Sequence, residues 1–117
     1  MDRRRQQLER AIERVKRELC ALGELRPGSL SQQYNVCGVK GCRCKASPPQ
    51  RHGPYYQISF TRKRKSSSRF VRPEELSLVK RHLKNYQRLK ELMNEWIELG
   101  TELSNLRLEE RRKRVSR

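Results

Sequence analysis

The chain has a single aspartate, Asp2, and its twelve glutamates all lie in or beside two helix-like segments. Between Leu25 and Pro73 there is no acid of either kind. A two-metal nuclease or polymerase centre needs clustered carboxylates. A zinc hydrolase needs a general base beside an open coordination position. The acid-free segment offers neither. No Walker loop or glycine-rich phosphate cradle is present. No base and orienter stand ready for a cysteine nucleophile. The sequence therefore reads as a binding protein and not an enzyme.

Apolar residues are also scarce, 33% against 36% charged. No apolar run approaches the roughly 18 residues that span a bilayer. The opening Met1-Asp2-Arg3-Arg4-Arg5 leads into an amphipathic charged pattern, unlike a signal peptide. The expectation is a cytoplasmic protein without a membrane partner. Cysteines kept reduced there bind metal more often than they form disulfides. With 117 residues and so little apolar material, a single domain over 1–117 is expected, built from long helices and a small stapled knot.

What the chain has in quantity is positive charge. Its formal net charge is +16, and eleven Lys/Arg fall in the acid-free stretch. Such a surplus calls for a polyanion, and nucleic acid is the usual one.

Leu8, Ile12, Val15, Leu19 and Leu22 form one stripe at 4-3-4-3 spacing, which predicts a helix over 2–22 ending at Gly23. Residues 25–54 carry many Pro and Gly and show neither helical nor strand period. A loop this long needs a tie. Over 55–72, Tyr56, Ile58 and Phe60 alternate with Gln57, Ser59 and Thr61, and Arg69-Phe70-Val71-Arg72 returns. This predicts a two-stranded hairpin whose tip runs from Arg62 to Ser68. Pro73, Glu74 and Glu75 suit a helix start. Leu76, Val79, Leu83 and Tyr86, then Leu89, Leu92, Trp96, Leu99, Leu103 and Leu106, carry a stripe through 73–110, out of phase at the Tyr86–Leu89 step. Gly100 is a weak point in that helix, and 111–117 is a basic tail. The fold class expected is α+β, mostly α: an antiparallel pair of long helices, the N-terminal one short, closed by a Cys/His metal knot and a basic two-stranded β-hairpin. At 1.5 Å per residue the helices would measure about 30 and about 55 Å. The first covers only half of the second. Trp96, Leu99, Leu103 and Leu106 then either meet a second copy or a larger protein, or this end frays.

The tie is the set Cys37, Cys42, Cys44 and His52, which offers three thiolates and an imidazole for tetrahedral zinc. Cys20 is the alternative fourth ligand. Around this set, Lys40, Arg43, Lys45 and Arg51 supply charge, and Arg62, Lys63, Arg64, Lys65 and Arg69 supply more on the hairpin. A two-stranded ribbon fits the major groove of B-DNA, which favours DNA over structured RNA. Tyr55 could stack on an exposed base, which favours single strands or RNA.

Gly28-Ser29-Leu30, Tyr34-Asn35-Val36-Cys37-Gly38, Cys42-Arg43-Cys44, His52-Gly53-Pro54-Tyr55 and Arg69-Phe70-Val71 resemble a family of short, basic prokaryotic proteins, some near mobile elements. The resemblance covers about residues 26–95 and implies a prokaryotic setting and a link to transposon or phage nucleoprotein complexes. It assigns no ligand or catalytic residue. Two functions follow. One is a zinc-stapled nucleic-acid-binding protein. The other is an accessory subunit of a larger ribonucleoprotein, transposase or nuclease assembly, docked through its long helix.

Overall fold

The computed structural model describes residues 2–35 and 52–115. The order is α1 (Asp2–Ala21), β1 (Ser29–Asn35), β2 (His52–Arg62), β3 (Lys65–Val71), a 3-10 turn (Pro73–Glu75) and α2 (Leu76–Val115). The class is α+β and mostly helical. The chain divides into two compact units, one of residues 1–24 with 85–117 and one of residues 25–84.

In the first unit, α1 buries Leu8, Ile12 and Val15, the middle of its predicted stripe. Leu8, Val15 and Leu92 of α2 are fully enclosed. Each such side chain contributes about 1.5–3 kcal/mol by leaving water. Ion pairs line the two helices: Arg5 with Glu110 at 3.6 Å, Arg107 with Glu9 at 3.0 Å, Arg14 with Glu95, and Arg88 with Glu18 at 3.2 Å. The start of α1 thus lies along residues 102–110 and its end near residue 88, so the helices are antiparallel. Exposed pairs of this kind add at most about 1 kcal/mol each; their use is to fix register. A hydrogen bond with Glu91 raises the Arg88 guanidinium above its ordinary value, and Glu18 adds to this. The Asn85 side-chain amide donates to the Glu24 carbonyl at 2.8 Å, closing the unit where the chain leaves and re-enters it.

The expectation that the far leucines lack a partner changes here. Leu99, Leu103 and Leu106 are half-buried, because α1 pairs with the part of α2 after Asn85. The first turns of α2 are engaged elsewhere, in the second unit. There Val79 joins Ile58 and Val71 in a small core, with Leu30, Tyr56, Leu76 and Leu83 packed against it.

That unit holds a three-stranded antiparallel sheet in the order β1-β2-β3. Ile58 faces Leu30 on one side and Arg69 on the other, and Tyr56 pairs with Gln32 and Val71. Three features differ from the sequence reading. First, β1 is a strand, although Ser29–Asn35 has almost no apolar alternation; pairing with β2 and burial of Leu30 supply what local pattern does not. Second, the hairpin tip is far shorter than Arg62–Ser68. Ser66, Ser67 and Ser68 pair with Thr61, Phe60 and Ser59, leaving Lys63 and Arg64 alone in the turn. Third, α2 passes through Gly100 without a break and continues to Val115, so Arg111–Arg114 are helical and not a separate tail. Cations in a last turn complement the negative end of the helix dipole. Gly28, just before β1, sits at φ +136°, and a Cβ there would lie 2.9 Å from Cγ2 of Ile58. Glycine is needed where β1 starts over the core.

Candidate nucleic-acid interface

The two units carry charge very differently. Residues 25–84 hold fourteen Lys/Arg against two glutamates, a net +12; the remaining chain holds fifteen against eleven acids, a net +4. In the helical unit many cations are spent on ion pairs. Among the described residues of the sheet unit, no Lys or Arg forms an ion pair. Glu75 instead accepts the backbone N–H of Arg72 at 3.0 Å at the helix entry.

The sharpest concentration is the β2–β3 turn. Lys63 and Arg64 both have positive φ, 52° and 65°. Two positive values in a two-residue hairpin loop mark a type I′ turn, which Asn-Gly fills best. Left-handed backbone costs an L-residue roughly 1–2 kcal/mol. Arg62 and Lys65 then face each other as a like-charged cross-strand pair, itself destabilising. Four consecutive cations are thus held, exposed, at the end of the sheet.

Register assigns the two faces. Arg62, Phe60, Ile58 and Tyr56 share the core-side parity on β2, and Arg69 and Val71 share it on β3. The other face is built from Thr61 and Ser66, then Ser59 with Ser29 and Ser68, then Gln57 with Ser31 and Phe70, and Tyr55 with Gln33. Every one of these paired positions is uncharged, and Arg72, extended just past β3, follows at the same parity. The Thr61 and Ser66 hydroxyls lie 2.9 Å apart, and the Ser31 hydroxyl donates to the Gln57 carbonyl at 3.3 Å. Tyr55 is 40% exposed and Phe70 is 70% exposed.

Of the residues singled out from sequence, Arg62, Lys63, Arg64 and Lys65 come together at the tip. Arg69 is exposed on β3, and Tyr55 stands on the uncharged face. Phe70 was not singled out. Arg69-Phe70-Val71 does not by itself say which of its apolar residues points outward, and only the pairing of Phe70 with Gln57 decides it. Cys37, Cys42, Cys44, Lys40, Arg43, Lys45 and Arg51 lie outside the described residues, as does the side chain of His52. The backbone of His52 pairs with Asn35, so both ends of the cysteine-bearing connection meet. Cys20 is exposed on α1. Among the described residues there is no cluster of three His, Cys, Asp or Glu side chains. Trp96, in the other unit, is partly exposed with Lys16 Nζ 5.5 Å from its ring centre. No helix among the described residues is long and apolar enough to cross a membrane.

Residues 2–81 match the model of the family described as Domain of unknown function (DUF6788). The chain belongs to the DUF6788 family. No curated protein matches the chain, and no solved structure matches it either. The DUF6788 match takes in α1, the whole sheet and the first turns of α2, so it contains the charged turn, the uncharged face and the three clustered cysteines. It stops before the length of α2 that pairs with α1.

Proposed function

We propose that the sheet unit of this protein binds nucleic acid, with the Arg62–Lys65 tip on the phosphate backbone and a structural zinc at Cys37, Cys42, Cys44 and His52 bracing the connection from β1 to β2. The tip carries this reading. Its sequence opposes its own turn twice, through left-handed backbone at two side-chain-bearing residues and through cation facing cation. Strain of this kind gathers at functional sites, and a polyanion is the ligand that relieves the charge. The net +12 of residues 25–84, set against two glutamates, supports the same partner. The resemblance to a family of short prokaryotic proteins, some of them near mobile elements, supports a transposon or phage nucleoprotein setting. Donor chemistry supports the zinc: three thiolates and an imidazole suit a closed structural site, and the paired ends Asn35 and His52 frame the connection that carries the cysteines.

The test is fluorescence anisotropy of labelled oligonucleotides across a KCl series. Binding should weaken steeply with salt. Changing Arg62, Lys63, Arg64 and Lys65 to Gln should lower the magnitude of the log–log salt slope by about 3. The same change at Arg111, Arg112, Lys113 and Arg114 should lower it by much less. Equal losses would refute the assignment to the tip.

A further inference from the structure

The uncharged face of the sheet has a composition that phosphate binding does not explain. A surface meant only for a backbone polyanion gains from every cation placed on it, yet the paired positions of this face hold none, within a unit of net +12; the nearest cation of the same parity is Arg72, extended just past the end of β3. It has two exposed aromatic rings instead. Phe70 pairs directly with Gln57, and Tyr55 is two residues from Gln57 on the same strand, so the rings are diagonal neighbours on one face. Diagonal positions stand about 7–8 Å apart, within reach of aromatic side chains. At 70% exposed, Phe70 contributes little to the core, and the core-side position beside it is taken by Val71.

We infer that Tyr55 and Phe70 form a stacking platform for unpaired bases of a single-stranded nucleic acid, with the Gln57 side chain between them and the cationic tip guiding the phosphates. The ring face of a base gains from an aromatic surface whatever its identity, and charged grooves beside such rings are how single strands are held. Bases in a duplex are already stacked and present only their edges, so Phe70 and Tyr55 have nothing to gain from them. The inference rests on the proposed nucleic-acid function and narrows it: the ribbon shape alone favours duplex DNA, and the platform favours single-stranded RNA or DNA.

Three probes test it on the full chain: a single-stranded oligonucleotide, its duplex, and a base-free deoxyribose-phosphate strand of equal length. Tyr55→Ala with Phe70→Ala should weaken single-strand binding roughly thirtyfold or more, about five- to a hundredfold for each ring lost, while leaving the salt slope unchanged, since no phosphate contact is lost. Tyr55→Phe with Phe70→Tyr should restore it. The base-free strand should bind the native protein about as weakly as the native strand binds the alanine variant, and should not distinguish the two proteins. Salt-dependent binding that ignores both the alanine changes and the missing bases would overturn the platform and leave the charged tip standing. Absence of salt-dependent binding to any of the three probes would overturn the function itself.

Discussion

Replacing Lys63 by Asn and Arg64 by Gly should make the protein more stable and a worse binder at once. The gain comes from the turn. Both residues sit at positive φ, Asn and Gly enter that region easily, and the facing pair of Arg62 and Lys65 loses two like-charged neighbours. Relief of roughly 1–2 kcal/mol per position is reduced by the greater freedom of glycine in the unfolded chain, about 0.5–1 kcal/mol. A net gain of at least about 1 kcal/mol is expected, equivalent to about 4 °C or more in Tm for a chain of this size. The loss comes from counterion release. Each phosphate contact contributes a slope of about 0.9 on duplex and about 0.7 on single strand. Two lost contacts should therefore flatten the slope by about 1.4–1.8 and weaken binding roughly ten- to thirtyfold near 0.15 M salt. Urea denaturation and anisotropy titration on the same preparation give both numbers. A variant that is stabilised and binds as before would show that the tip does not meet the polymer. One that loses stability would show that the turn is not under the strain assigned to it.

Protein made without a tag should carry about one zinc per chain by mass spectrometry, and a clearly lower content in the folded protein would refute the Cys37, Cys42, Cys44, His52 site. Gly28→Ala should cost about 1–3 kcal/mol, because its Cβ would fall 2.9 Å from Ile58 Cγ2 and 3.1 Å from the Ser59 carbonyl at a φ of +136°. An urea midpoint unchanged by that substitution would contradict the close approach of β1 to β2.

Helices and the hairpin were legible because their signals are local. The stripe through Leu8, Ile12 and Val15 names the buried face of α1. The phase slip between Tyr86 and Leu89 is more than an irregularity of one stripe: it falls beside the boundary at Asn85, where α2 stops serving the sheet core and starts serving α1. Two different packing partners need not share one phase. What was not legible depends on distant pairing. Ser29–Asn35 and Ser66–Ser68 look like loop by composition and become strand through their partners on β2. Phe70 looks like half of an apolar pair, and only the register turns it outward. The tip was recognisable from its four cations, but its backbone strain was not, since nothing in Lys63-Arg64 announces a type I′ turn.

The clasp between Asn85 and Glu24 has a consequence for the order of assembly. Residues 25–84 leave and re-enter the helical unit where these two residues meet, 2.8 Å apart. Bringing those ends together across an unstructured segment of that length costs roughly 3–4 kcal/mol in chain entropy before any helix contact is made. Once the sheet has formed, the Arg26 N–H reaches the His82 carbonyl at 3.2 Å and the distance to be closed shrinks to a few residues. The cheap route therefore builds the sheet first and zips the helices second. During synthesis α1 leaves the ribosome early and must wait through the whole sheet and the early part of α2 for Leu92 to appear. In that interval Leu8, Ile12 and Val15, the residues α1 buries in the folded unit, have no partner.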